Sequence, residues 1–219
     1  MRILVSAGHT AKGKGTGAVS YINESDENRI LSKVVAEYLK VAGHEVDYHE
    51  VNESNNHVSE QIVKANSKSY DLVAQIHFNA HKKTVDSMGT ETLYSSDRGK
   101  PYAEKVNAKL STVFKNRGAK SRTNLSWLSK TKATSILIEV CFVDSKHDTD
   151  IYKVNKDLVG KLIAEGIHGK DIKASGEETT GIFYRVVAGS YSKRENAEAQ
   201  LRLLESKGIK GGFLDVYKK

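Results

Sequence analysis

Leu72-Val73-Ala74-Gln75-Ile76-His77 is a short, mostly apolar run that stops at an imidazole. A run of that length with polar residues on both sides reads as a strand buried on both faces of a parallel sheet. Two other runs have the same form. Ile3-Leu4-Val5-Ser6-Ala7-Gly8-His9 ends on a histidine and Ile136-Leu137-Ile138-Glu139 on a carboxylate. In an open α/β sheet the carboxyl ends of the strands share one rim, so groups far apart in sequence meet there around a single ligand. The chain therefore reads as α/β, a twisted and mostly parallel sheet flanked by helices.

The segments between these strands fit that reading. Ile30, Leu31, Val34, Val35, Tyr38 and Leu39 recur at helical spacing up to Gly43, a suitable stop. Val46 to Val51 reads as a strand and Val58 to Ala65 as a helix. Thr90 to Tyr94 alternates like an edge strand. Pro101 suits the first position of a helix carrying Val106, Leu110, Val113 and Phe114 and ended by Gly118. Ser135 to Val140 is the last central strand, and Leu158 to Ile167 a closing helix. Residues 170–181 (KDIKASGEETTG) lose apolar periodicity and gain Gly, Ser, Thr and charge, the composition of a connector. The expected division is a main domain over 1–169, a linker over 170–181 and a small βαβ module over 182–219. Within that module Phe183 to Ala188 and Gly212 to Tyr217 read as strands and Ala197 to Leu204 as a helix. A module this short rarely holds a core alone, so it is expected to dock or self-associate.

Composition bounds the chemistry. At 219 residues and 38% hydrophobic, the chain can bury one good core with a small second unit. The single cysteine, Cys141, excludes an internal disulfide and a four-cysteine zinc finger, and reads as a small buried hydrophobe rather than a nucleophile. No run approaches the roughly 20 apolar residues of a membrane span. Met1 to Val5 is shorter than a signal-peptide core, and cleavage there would remove His9, so synthesis in the cytoplasm without an export signal is expected. Net charge is +7, from 34 Lys+Arg against 27 Asp+Glu, and residues 182–219 hold eight of the basic and four of the acidic residues. An anionic or polar partner is expected for the tail. Little aromatic interleaving accompanies its basic residues, which argues against nucleic acid.

Zinc in hydrolases usually keeps three protein ligands and one open position, and two histidines with one glutamate form a recurring set. Such a centre brings the pKa of bound water from ~15.7 towards ~7. A second carboxylate that does not bind the metal must then move the proton. His9 and His77 suit the ligand role and Glu139 the proton-transfer role. The third ligand is open between Glu24, Asp26 and Glu27, all where a loop enters a helix. His81 is the main rival to these assignments, because His77 and His81 have the spacing of a helical metal pair, but no Glu follows His77 and the surrounding residues read as strand. His44, His49, His57, His81, His147 and His168 read as solvated. The loop holding Gly13, Gly15 and Gly17 lacks the Lys-Ser/Thr ending of a phosphate loop and reads as cover for an active site.

Four motifs together resemble the zinc-dependent N-acetylmuramoyl-L-alanine amidases of the type 3 amidase family. Ala7-Gly8-His9 resembles the opening Gly-His, Asn23 to Asn28 the Glu motif with Asn four residues on, and Gln75-Ile76-His77-Phe78-Asn79-Ala80 the Ser-Ile-His-x-Asn-Ala segment. Ile138 to Asp144 resembles the Glu-x-Gly-Phe segment. The resemblance implies one zinc per chain held by His9, Glu24 and His77, with Glu139 as catalytic acid/base and Asn79 positioning substrate. Cys141 replaces the usual glycine and Gln75 the usual serine, and neither is expected to touch the chemistry. The tail is similar to the first half of the SPOR domain, a peptidoglycan-binding module. Two copies could complete its sheet, which implies a homodimer through the C-terminal module. The implied activity is hydrolysis of the amide between N-acetylmuramic acid and L-alanine of the stem peptide, by an endolysin or sporulation lysin that reaches the wall after release. The rival expectations are a zinc endopeptidase or carboxypeptidase on the stem peptide and a non-catalytic wall-binding protein.

Overall fold

The computed structural model describes residues 1–173, 189–208, 214 and 216. The chain divides into two compact units, Met1–Glu177 and Glu178–Lys219. The first unit contains β1 (Arg2–Thr10), α1 (Glu24–Val41), β2 (Glu45–Val51), α2 (His57–Ala65), β3 (Leu72–Asn79), β4 (Thr90–Tyr94) and α3 (Lys100–Leu110). It continues through β5 (Asn116–Ser121), α4 (Ser126–Lys130), β6 (Thr134–Phe142), α5 (Lys146–Val154) and α6 (Lys156–His168). The six strands form one sheet in the order β2-β1-β3-β6-β4-β5. β2, β1, β3 and β6 run parallel, β4 runs antiparallel to β6, and β5 is parallel to β4.

Alternation along each strand splits the apolar residues between two faces. Ile3, Val5, Leu72, Ala74, Ile76, Ile136 and Ile138 join a core with Leu31, Val35 and Leu39 of α1, Val106 of α3 and Ile163 of α6. Leu4, Val73 and Leu137 face the other way, onto Ala65 of α2, Tyr70 and Trp127 and Leu128 of α4. Both faces of the central strands are covered, which is why their sequences are almost wholly apolar. α1 is entered at Asn23, whose side chain caps the Ser25 amide at 3.0 Å. It is left through Ala42 and Gly43, the glycine at φ +83°.

Three expectations need correction. Thr90–Tyr94 is internal, flanked by β6 and β5. The edge is β5, Asn116–Ser121, whose polar sequence carries no alternating signal. α3 ends at Leu110, so Val113 and Phe114 reach the core from the turn after it, and Gly118 lies within β5. Inside the expected linker, Ile172 is 4% exposed and donates its amide to Glu165 at 3.1 Å, so the chain stays attached to the first unit to at least that residue.

In the second unit α7 spans Arg194–Ser206, slightly longer than the expected helix. The expected strands at 183–188 and 212–217, and most of the expected linker, lie outside the described residues. No described helix is long and apolar enough to cross a membrane.

Candidate metal centre and active site

The strand order β2-β1-β3 places the reversal of winding between β1 and β3, where open α/β sheets bind ligands beyond the carboxyl ends of their strands. His9 sits at that end of β1, within a register break between Ser6 and Thr10. It adopts φ +63°, a left-handed conformation unusual for a residue with a side chain. α1 holds this bulge in place. Asn28 donates to the Gly8 carbonyl at 3.2 Å, and Arg29 donates to the His9 carbonyl at 3.2 Å and the Val51 carbonyl at 2.6 Å. His77 stands near the end of β3, directly opposite Glu139 of β6. Glu24 opens α1 and is 3% exposed.

These groups converge. Oε1 of Glu24 lies 3.0 Å from Nε2 of His9 and 3.1 Å from Nδ1 of His77. One donor atom from each residue falls within 4.8 Å of the others. Of the three acids at the helix start, Glu24 is the one brought to this point: Asp26 is exposed, and Glu27 is engaged by Lys156 at 2.7 Å and Tyr152 at 2.9 Å.

The far nitrogens of both imidazoles are occupied. Nδ1 of His9 donates to the Gly15 carbonyl at 3.0 Å, and Nε2 of His77 faces Oε1 of Gln75 at 3.1 Å. When both rings are neutral their protons are committed there, and two imidazole lone pairs and a carboxylate oxygen point at one place. Such an arrangement calls for a cation, and nitrogen and oxygen donors backed by outer acceptors suit a divalent metal.

A proton on either ring competes for that same place. Burial opposes ionisation of Glu24, but hydrogen bonds and charge from His77 and His9 outweigh it and hold the carboxyl well below the usual range. Burial likewise opposes a charge on His9, yet Glu24 and the Gly15 carbonyl raise its pKa above 6.5. For the more buried His77, burial wins and its pKa falls.

Glu139 differs from Glu24. Its Oε2 is buried and has no hydrogen-bond partner among the described residues. Burial, then the negative charges of Glu24 and Glu91, push its pKa up to about 8, with Arg122 opposing. Glu91 lies across the strand from Glu139 and is held ionised by Lys120 at 2.6 Å and Arg117 at 2.8 Å. A carboxyl tuned toward neutrality beside a metal-competent triad is suited to taking and giving a proton near neutral pH. Asn79 is engaged within the protein, its amide donating to Glu91 at 3.2 Å and its carbonyl accepting from Ala80 at 2.9 Å.

Some residues here escape sequence reasoning. His57, expected to be solvated, sits with its ring centroid 6.1 Å from that of His9, beneath Gly15. Gln75, expected to be a bystander, touches His77. His44 and His168 are also not free, since they bond to each other at 2.9 Å. Cys141 is fully buried, and burial raises its pKa well above the ordinary thiol value. The glycine loop supplies the carbonyl that orients His9. Gly17, at φ +76°, leaves room for the site, since a Cβ there would stand 2.5 Å from Oε2 of Glu24.

A family model described as N-acetylmuramoyl-L-alanine amidase matches residues 3–169. The chain belongs to that family. A SPOR domain model matches residues 156–214, beginning within α6 of the first unit. The catalytic domain of the CD27L endolysin targeting Clostridia Difficile is 37% identical with a TM-score of 0.73, covering 79% of this chain and 99% of that one. Uncharacterized protein CPE1502 of Clostridium perfringens (strain 13 / Type A) is 37% identical over 190 residues, 81% of this chain and 56% of that protein. A probable autolysin of Staphylococcus aureus (strain NCTC 8325 / PS 47) is 30% identical over 199 residues, 78% of this chain and 39% of that protein. The chain thus spans about half the length of the first two curated relatives it matches, at 56% and 51%. The catalytic domain of CwlV, an amidase of Bacillus (Paenibacillus) polymyxa var. colistinus, has a TM-score of 0.67 at 21% identity, a likeness of fold.

Proposed function

We propose that the chain is a zinc-dependent peptidoglycan amidase that cleaves the bond between N-acetylmuramic acid and L-alanine of the stem peptide. The observation that carries this reading is the convergence of His9, Glu24 and His77 beside the partnerless carboxyl of Glu139, in a member of the amidase family. His9 through Nε2, His77 through Nδ1 and Glu24 through Oε1 would hold one zinc ion per chain. Bound there, the ion would supply Lewis acidity of the kind that polarises a carbonyl and lowers the pKa of water. Glu139 takes a proton from the attacking water as the carbon–oxygen bond forms. It returns the proton to the alanine nitrogen as the carbon–nitrogen bond breaks, leaving a muramic acid carboxylate and a free alanine amine. The raised pKa of Glu139 makes it a competent donor in the second step. Asn79, fixed against Glu91 and Ala80, would position substrate.

The SPOR match supports peptidoglycan as the ligand of the C-terminal module, over 182–219 and joined by the connector at 170–181. Tethering raises the local concentration of the enzyme on an insoluble substrate. The likeness to an endolysin catalytic domain supports a lytic role at the cell wall. The short module completes its sheet by pairing with a second copy. Light scattering showing only monomer at micromolar concentration would remove this last point. The enzyme reading is tested by stripping the protein with a chelator and following the turbidity of purified cell walls. Clearing should stop and return with about one equivalent of zinc. Clearing that persists in the metal-free chain contradicts the proposal.

A further inference from the structure

We infer that Gln61 and Gln75 form a buried amide relay that fixes the tautomer of His77 and so decides which ring nitrogen is offered as a ligand. The inference rests on the metal-centre reading above. Its direction is set at the far end. A backbone carbonyl only accepts, so the group of Gln61 facing the Ala7 carbonyl at 2.9 Å must be its NH₂. The Gln61 oxygen is thereby left for Gln75, whose NH₂ donates to it at 3.1 Å. The Gln75 oxygen in turn faces Nε2 of His77 at 3.1 Å and can only accept. Nε2 therefore carries a ring proton, which leaves Nδ1, 3.1 Å from Oε1 of Glu24, as the nitrogen free to bind a cation shared with that carboxylate.

Turning over either amide sets oxygen against oxygen or NH₂ against NH₂ somewhere in the series. Both glutamines are 3% exposed, so solvent does not relieve such a mismatch, and a buried amide without its partner bears the full cost of its desolvation. The relay joins three elements: β1 through Ala7, α2 through Gln61, and β3 through Gln75 and His77. Residues two apart on a strand share a face, which is why Gln75 reaches the ring of His77. His9 has a separate device, the Gly15 carbonyl, so the relay bears on His77 alone. Gln61 and Gln75 are positioning residues that act through His77 and take no part in bond making.

The test uses the full chain with ¹⁵N-labelled histidine. In the zinc-free wild type, long-range ¹H–¹⁵N correlations should show His77 protonated on Nε2. Gln75→Met, which keeps the volume and removes the acceptor, should lose that preference and weaken zinc binding by about 10–100-fold in chelator competition. Gln61→Met should shift both readouts the same way by a smaller factor, and it carries the test if Gln75→Met does not fold. A wild-type His77 protonated on Nδ1 and not on Nε2 overturns the inference. So do both variants keeping the wild-type tautomer and zinc affinity. A wild type that shows the Nε2–H tautomer yet binds no zinc upholds the relay and overturns the metal reading instead. Tight zinc binding with the other tautomer does the reverse.

Discussion

Gly8→Ala adds a single methyl group to the strand that carries His9, and the structure assigns that methyl a specific collision. A Cβ at position 8 would lie 2.7 Å from Nδ1 of His77 and closer still to Cε1 and Nε2, whereas ordinary contact begins at 3.4 Å. Gly8 is not in the left-handed region, so its backbone accepts alanine without strain. The obstacle is the imidazole, which must withdraw by about 1 Å, and a displacement of that size in a catalytic constellation costs about 10²-fold in rate. Withdrawal also moves Nδ1 off the point where Glu24 and His9 meet. Zinc affinity, measured by chelator competition, should therefore fall together with the rate of wall clearing. The thermal midpoint of the zinc-free protein should change little, because the fully buried core residues around β1 keep their packing. A Gly8→Ala protein with wild-type zinc affinity and clearing rate would refute the placement of His77 against β1. One that is merely unfolded would show a lost thermal transition.

Three further outcomes follow from the same geometry. Glu139→Gln should leave zinc binding intact and lower the clearing rate by about 10²–10⁴-fold, the usual worth of a general acid–base group; loss of zinc would mean instead that Glu139 is a ligand. Because the folded chain raises the pKa of His9 above 6.5, its proton is favoured below that value and is released only as pH rises through the higher folded value. Zinc competes for the same lone pair, so affinity measured by chelator competition should rise from about pH 6 to 8 with a midpoint above 6.5, and a midpoint below it contradicts the assignment. Leu31→Ala removes a fully buried side chain of α1 and should cost about 2–5 kcal/mol in urea unfolding of the zinc-free chain; a cost under about 1 kcal/mol would show that the helix is not seated as described.

The fold was legible wherever hydrophobic periodicity was strong. The runs at Ile3, Leu72 and Ile136 are apolar throughout because helices cover both faces of the sheet, and each proved to be a central strand. β5 was not legible, since an edge strand of sequence Asn-Arg-Gly-Ala-Lys-Ser takes its place through backbone pairing with β4 rather than through buried side chains. The same blindness hid α4 and α5, which are short and whose fixing contacts come from distant residues. Ser87, Met88 and Gly89, for instance, all donate to Asp148 at the start of α5.

At the proposed site, His9, His77 and Glu139 were legible as candidates because each ends an apolar run. Glu24 did not, because three acids lie in the first turn of one helix and only the direction of each side chain separates them. Gln75, Gln61, Arg29 and His57 were beyond the reach of spacing arguments. Their roles arise from contacts spanning up to 54 residues of sequence, as between Gln61 and Ala7. A polar residue inside an otherwise apolar strand, two positions before a candidate ligand, was the signal available for Gln75.

The central claim is the bond that is cut. It is tested most directly by digesting purified peptidoglycan with the full chain and identifying the new termini by mass spectrometry. The account predicts free L-alanine amines paired with muramic acid carboxylates, formed by the wild type and absent with Glu139→Gln. New termini elsewhere in the stem peptide, or none at all with zinc bound, would contradict it.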